Sequence, residues 1–204
     1  MQKLPLNLVV PFILFATSSR LVFAVTLSTG IDEVANLPYW EIKGDGMTLR
    51  LVQRLPDQSR GFAMARGFTP EQAEVFAQSC AFQTVFKNIS NLTTPGTLNY
   101  NLRDWIIYYQ GKKRGMKTRE DWEKTWPPGQ VKPAAQLALN WGLYPTVQSY
   151  KPGDYNWGLS TFNLKPGAMF DLRVVWHQYD KQHEFVIHDV QCAPDIHPDP
   201  DDIN

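Results

Sequence analysis

The sequence predicts a mainly β fold, an antiparallel β-sandwich interrupted by short helices. Several segments alternate apolar and polar residues at the two-residue period of a half-buried strand, and turn signals separate them at intervals of about 8–12 residues. The 7 Trp, 8 Tyr and 11 Phe also fit a packed, β-rich globular domain better than a disordered chain. These observations predict a single domain over residues 25–192.

In the first part of the domain, the sequence predicts two strands, a loop, a helix and a third strand. Residues 39–55 read as a hairpin around Gly44-Asp45-Gly46, and residues 56–68 read as an irregular connection. Thr69 and Gln72 form a capping-box pattern with Pro70 in the first turn, which predicts a helix near 69–79. The alternation over 81–90 then predicts a strand.

In the middle of the domain, the sequence predicts one strand and two helices. Residues 98–110 are aromatic and β-branched and read as one continuous strand, which a basic turn over 111–115 ends. Thr118 can cap a helix that Pro127 and the residues after it end. A second helix begins near Pro133 and ends at Gly142, so the helical insertion spans about 118–142.

The last part of the domain reads as four strands from residue 144 onward. A hairpin turn centred on Asp180-Lys181 would place Trp176 opposite Phe185 and Val174 opposite Ile187. That register would build one apolar face.

The arrangement of turns resembles the immunoglobulin-like sandwich modules of bacterial surface and periplasmic proteins. The likeness depends on a strand that ends in Asn-x-Ser at 88–90, and on a Leu-x-Pro-Gly turn at 164–167 that enters a Phe-x-Leu strand. The resemblance implies an immunoglobulin-like antiparallel β-sandwich with the helices near 69–79 and 118–142 as insertions. It implies architecture only, because a fold does not determine a function.

The N-terminal 24 residues read as an export signal. Lys3 precedes a short apolar run over 4–16, and Ala24 provides a small residue at the expected cut. An uncleaved anchor is the alternative, and Pro5 and Pro11 within the short run make it the weaker one. We therefore expect a periplasmic or secreted protein with no stable membrane insertion after cleavage. The acidic, proline-rich tail over 193–204 is predicted to be disordered.

Charge and cysteine content narrow the classes of function. The segment 1–24 carries two basic residues and no acid, so the mature chain has 18 basic and 20 acidic residues and a net charge near −2. This balance argues against nucleic-acid binding, which needs a surplus of Lys and Arg. In an oxidising compartment the only two cysteines predict a disulfide between Cys80 and Cys192. A reactive or metal-binding thiol is the weaker alternative, because no CxxC occurs.

No catalytic or metal-binding pattern occurs in the sequence. Gly-x-Ser-x-Gly and His-Glu-x-x-His are both absent, and an enzyme of unknown class is only the second alternative. The predicted hairpin separates the histidines too widely to share an ion, and Met thioethers for copper are not paired. We predict no catalytic residue, no metal and no cofactor. The four histidines are His177, His183, His188 and His197.

An Arg- and Phe-rich stretch is the leading candidate for binding a partner. Arg, Met and aromatic residues are enriched in the cores of protein interfaces. In the plainer interpretation, the phenylalanines pack onto the sandwich and the arginines stay in water. The predicted interaction loop consists of Arg54, Arg60, Phe62, Met64, Arg66 and Phe68. On this basis we expect an exported, non-enzymatic binding or accessory module that contacts another periplasmic or envelope protein.

The first alternative function is a ligand-binding module for a glycan or copper. A sugar could stack on exposed aromatic rings, although a strand apolar on both faces is more often central in a sandwich. The candidate glycan-binding aromatics are Trp105, Trp122 and Trp126.

The tetrapeptide Asn-Trp-Gly-Leu occurs twice, at 140–143 and 156–159. Its flanks differ and the sixteen-residue spacing is shorter than the usual repeat units, so we interpret it as a coincidence. The first copy would end a helix with Gly142 in the left-handed conformation, and the second would enter a strand. Both Trp141 and Trp157 are expected to pack inward.

Overall fold

The computed structural model describes residues 25–90 and 96–196, which form two antiparallel sheets and four short helices. One sheet, called sheet A, contains β1 (Thr26–Ile31), β2 (Pro38–Gly44), β3 (Met47–Gln53), β4 (Ala81–Asn88) and β9 (Tyr155–Thr161), in the order β1-β2-β3-β4-β9. Sheet B contains β5 (Leu98–Asn101), β6 (Ile106–Tyr109), β7 (Lys112–Gly115), β8 (Val147–Tyr150), β10 (Met169–Gln178) and β11 (Lys181–Gln191). The prediction of a mainly β fold is confirmed, and the two sheets are consistent with a β-sandwich.

Sheet B is built around β10. One edge of β10 pairs with β11, and the other edge pairs with β6 near the start of β10 and with β5 at its end. The prediction of one strand over 98–110 is wrong, because a 3-10 turn (Leu102–Asp104) separates β5 from β6. The Asn101 side chain accepts a hydrogen bond from the Arg103 backbone N–H at 3.0 Å, a local bond that competes with the strand ladder.

Two further details of sheet B differ from the predictions. The basic stretch predicted as a turn forms β7, and Gln110-Gly111 makes the turn instead. In the last hairpin, Tyr179-Asp180 forms the turn, so Trp176 pairs with His183 and Val174 with Phe185. This two-residue shift in register keeps the predicted apolar face, because side chains alternate with a period of two.

The main core lies between the two sheets. Ile42, Leu49 and Phe86 of sheet A and Leu172 and Trp176 of sheet B are buried in one cluster. At one side of this core Cys80 and Cys192 form a disulfide with a Cα–Cα distance of 5.3 Å. The predicted disulfide is confirmed. It joins the residue before β4 to the residue after β11.

The four helices form a second layer beside sheet A. They are α1 (Pro56–Met64), α2 (Pro70–Ala77), α3 (Arg119–Glu123) and α4 (Pro133–Gly142). Leu159 of β9 packs in the same cluster as the buried residues of these helices, so the helices cover one face of β9. The cluster consists of Ala63, Phe68, Ala73, Phe76, Trp122, Ala135, Leu139, Leu143 and Leu159.

Three helices follow the prediction and one does not. The capping box of α2 is present, with Thr69 Oγ1 accepting from the Gln72 N–H and Gln72 Oε1 accepting from the Thr69 N–H. The interpretation of 56–68 as irregular is wrong, because α1 occupies most of it. Pro56 begins α1, and Pro56, Ser59 and Ala63 are buried at a helical spacing. Leu55 is an unfavourable N-cap residue, so the sequence gives no N-cap signal at the start of this helix.

The two ends of the chain lie largely outside the described residues. The predicted signal segment over 1–24 lies outside them, as do residues 197–204 of the predicted tail. The beginning of that tail is packed, since Ala193 is buried and Asp195 accepts hydrogen bonds from Arg60. Within the described chain, no helix is both long enough and apolar enough to cross a membrane.

Removal of the disulfide should destabilise the protein strongly. The bond closes a loop of 113 residues, and its loss should lower the free energy of unfolding by about 4 kcal/mol through the greater entropy of the unfolded chain. The measurement is urea denaturation of the Cys80→Ala/Cys192→Ala variant. Wild-type protein unfolded in the presence of a reductant is the control and should match the variant. A loss below about 1 kcal/mol would contradict the expectation.

Candidate functional site

A groove of about 620 Å³ opens at the margin of the helical layer, where α1 and α4 meet β4 and β9. This volume is typical of binding sites for small molecules or short segments. We call it the tryptophan groove, and its lining residues are Arg54, Phe62, Ala65, Arg66, Gln83, Ala138, Trp141, Gly142, Trp157 and Leu159.

Trp141 enters the groove from the end of α4. Leu139 and Leu143 on either side of it in the sequence are buried in the helical layer, and Trp141 faces away from them with 77% of its surface exposed. Gly142 does not take the predicted left-handed conformation, since its φ is not positive. The Phe62 ring lies against Gly142 so closely that a Cβ there would meet the tip of the ring, and a side chain at this position would displace it.

Trp157 enters the groove from β9. It pairs with Val85 of β4, and 62% of its surface is exposed. Two residues further on, Leu159 is buried under the helices. Since residues two apart share one face of a strand, Trp157 lies on the same face as Leu159, just beyond the edge of the helical layer.

The two Asn-Trp-Gly-Leu copies meet at their last residues. Leu143 and Leu159 form a parallel β-bridge, and the Tyr144 N–H donates to the Leu159 carbonyl at 2.8 Å. A Cβ on Gly158 would come within 2.9 Å of the Tyr144 backbone nitrogen, so only glycine allows this approach. The expectation that both tryptophans pack inward is therefore wrong. Both indoles are exposed in one groove.

Two arginines complete the groove around the Phe62 ring. The Cζ atom of Arg66 lies 3.5 Å from the ring centroid and that of Arg54 lies 5.9 Å from it. Burial lowers the pKa of Arg54, and the charge of Arg66 lowers it further. Burial also lowers the pKa of Arg66. Both groups stay protonated at neutral pH, because arginine does not lose its proton in proteins.

These two positive charges have no acidic partner in the described part of the chain. No carboxylate lines the groove, and neither Arg54 nor Arg66 forms a salt bridge with a described residue. Arg66 donates to the Phe62 carbonyl at 2.9 Å, and Arg54 donates a long bond to the Gln58 carbonyl at 3.4 Å. The groove therefore combines apolar ring surface with unused N–H donors.

The structure divides the predicted interaction loop into different environments. Arg54, Phe62 and Arg66 line the groove, Met64 is half exposed outside it, and Phe68 is buried against Trp126. Arg60 is held by acidic side chains and is not available to a partner. Its guanidinium bonds to Asp57, Glu74 and Asp195 at 2.6–3.0 Å.

The predicted glycan-binding aromatics lie elsewhere. Trp105 is fully buried in the main core, where its indole N–H donates to the Val175 carbonyl at 2.9 Å. Trp122 is fully buried in the helical layer, and Trp126 is half-buried and stacked on it at 5.5 Å. Trp105 and Trp122 have no exposed face on which a sugar could stack.

The histidines and carboxylates are not gathered into a metal centre in the described residues. His183 contacts Asp45 at 2.9 Å and His188 contacts Asp171 at 3.1 Å, at separate places on sheet B. Comparisons with protein-family models, curated proteins and solved structures find no match for this chain. The tryptophan groove is thus a candidate site in the described part of the chain, and its residues are suited to binding.

Two sequence signals pointed to parts of this site: the predicted interaction loop contained Arg54, Phe62 and Arg66, and the repeated tetrapeptide contained Trp141 and Trp157. The helix end at Gly142 and the strand at Trp157 are both readable from the sequence, but their contact is not. A parallel bridge between a helix end and a strand depends on how the helical layer packs, which periodicity does not report.

Substitution of Gly158 should separate the two tryptophan segments. In Gly158→Ala the added methyl group would contact the Tyr144 backbone, and overpacking of this kind costs about 1–3 kcal/mol. Chemical denaturation measures the loss. Gly115→Ala on β7 is the matched control, since nothing lies within 4 Å of its Cβ position. Equal stability of the two variants would contradict the expectation.

The Arg60 cluster should make stability depend on pH. The hydrogen bond from Arg60 is the main cause that lowers the pKa of Glu74 in the folded protein. A lowered folded pKa gives stability that is present above the unfolded pKa of about 4.3 and is lost as the pH falls through the folded value. Arg60→Gln should therefore flatten the decline in unfolding free energy below about pH 4.5. Arg114→Gln, at an exposed site, should leave the decline unchanged, and an equal decline in all three proteins would contradict the assignment.

Proposed function

We propose that this protein is an exported, non-enzymatic binding module that recognises a segment of another protein through the tryptophan groove. The supporting observation is the pair of exposed indoles, Trp141 and Trp157, beside two arginines that have no acidic partner among the described residues. Trp and Arg dominate the energetically important positions of protein interfaces, and two exposed apolar rings in one groove form a patch of the kind that often marks such a site.

Export to the periplasm or the cell exterior is part of this proposal. The signal-like sequence over 1–24 supports it, and so does the disulfide, which forms and persists in oxidising compartments. The expected partner is accordingly a periplasmic or envelope protein. We also propose that the two antiparallel sheets belong to the immunoglobulin-like type of sandwich, on the basis of the turn pattern in the sequence.

Glycan binding by the same groove is the second candidate function. The exposed indoles favour it, because the apolar face of a sugar ring can stack on an indole. The side chains that line the groove do not favour the binding of a neutral sugar. A buried sugar hydroxyl needs acceptors as well as donors. Among the described lining residues, only the side-chain amide of Gln83 adds an acceptor to those of the backbone.

Loss of both indoles should abolish partner binding without unfolding the protein. Trp141→Ala/Trp157→Ala removes two exposed rings, so the melting temperature should stay unchanged while the affinity for a co-purified partner falls at least about thirtyfold. The partner is identified with tagged wild-type protein, and its affinity is then measured by calorimetry with purified components.

Two matched controls test whether the groove itself is responsible. Met64→Ala on α1 and Leu137→Ala on α4 remove half-exposed apolar side chains from the same helices but outside the groove. Both variants should bind the partner as the wild type does. If the double tryptophan variant retains the partner, or if the controls lose it equally, the proposal is wrong.

A further inference from the structure

We infer that the segment recognised by the groove is acidic, with a carboxylate bound by Arg54 and Arg66 and an adjacent apolar side chain packed against Trp141 and Trp157. This inference deepens the proposed function and rests on it. It names the chemistry of the partner segment, which is a short stretch of alternating acidic and apolar residues.

The placement of the two guanidinium groups is the first argument. Both lie at the Phe62 ring, and each is partly removed from water. Two like charges close together in such a place repel each other unless an anion neutralises them. Arg60, which lies between them in the sequence and belongs to α1, shows the contrast, because three carboxylates neutralise it. For Arg54 and Arg66 the described chain supplies no carboxylate.

The unused hydrogen-bond donors are the second argument. Each guanidinium carries five N–H donors and no acceptor. Arg54 makes one long bond, and its buried Nε–H has no partner among the described residues. Arg66 makes one bond, to the Phe62 carbonyl. A carboxylate accepts only, and it matches the fork of a guanidinium with two parallel bonds.

The ring surface beside these donors is the third argument. A carboxylate alone would leave Trp141 and Trp157 exposed, whereas an apolar side chain next to it would cover them. Because both indoles lie at one groove of about 620 Å³, a short segment can reach the arginines and the rings together. The partner therefore needs an acidic and an apolar residue close in sequence.

The test uses two blocked peptides that differ only in charge. The acidic probe is acetyl-Leu-Asp-Leu-Asp-Leu-amide, and the control probe replaces each Asp with Asn. Titration followed by Trp fluorescence should show binding of the acidic probe and at least about tenfold weaker binding of the amide probe, because a charge-assisted hydrogen bond is lost. Binding should weaken as the salt rises from about 20 to 300 mM, because salt screens partly exposed charges.

Protein variants assign the effect to the two arginines. Arg54→Gln and Arg66→Gln should each weaken the acidic probe at least about tenfold and should leave the amide probe unchanged. Arg114→Gln removes an exposed charge outside the groove and should leave both probes unchanged. Circular dichroism checks that every variant is folded.

The experiments distinguish failure of the acidic-segment inference from failure of the proposed function. If the acidic probe does not bind, or binds no better than the amide probe, the acidic-segment inference is overturned. If a partner is lost in the double tryptophan variant but kept in both arginine variants, the inference fails and the proposed function stands. If a galacturonate trisaccharide binds in the groove and the acidic peptide does not, both proposals are wrong and the ligand is an acidic glycan.

Discussion

The backbone contact between the end of α4 and β9 positions the whole candidate site. It consists of the Leu143–Leu159 bridge and the hydrogen bond from the Tyr144 N–H to the Leu159 carbonyl, and the absence of a side chain at Gly158 makes it possible. Tyr144 is held on its other side by the main core, where its hydroxyl lies 3.1 Å from that of Tyr150. Burial raises the pKa of Tyr144 and keeps the phenol neutral. The contact thus fixes the helical layer to both sheets and sets Trp141 beside Trp157.

The helical layer depends on this attachment. Its four helices contain 5 to 10 residues each, and helices this short are not stable in water by themselves. They are stabilised by the apolar cluster that they form with Leu159, in which Phe76 and Trp122 are fully buried. Because the layer covers only part of the face of sheet A, a margin is left where β9 continues uncovered. The tryptophan groove lies at that margin.

The arginines of one short segment show how surroundings decide their roles. Arg60 meets Glu74 and Asp195, and their hydrogen bonds raise its pKa well above the ordinary value. Through these bonds Arg60 of α1 links Asp195, which follows the disulfide in the sequence, to Glu74 of α2. Arg54 and Arg66 lie a few residues away in the same stretch but face the groove, where the described chain places no acid. Similar side chains are therefore structural in one case and available to a ligand in the other.

The sequence by itself determined seven of the eleven described strands, three of the helices, the Thr69–Gln72 capping box and the Cys80–Cys192 pairing, because these follow from local periodicity, capping chemistry and the presence of only two cysteines. It did not reveal α1, whose start at Leu55 lacks a favourable cap, or the register of the last hairpin, which the conformation of a two-residue turn sets. The tertiary structure alone decided which tryptophans are exposed. The segment around Trp105 is apolar on both faces and favoured burial, but Trp122 carries no local sign of burial, and Trp141 and Trp157 carry none of exposure. Exposure depends on where the helical layer ends on sheet A, and packing between distant segments sets that boundary.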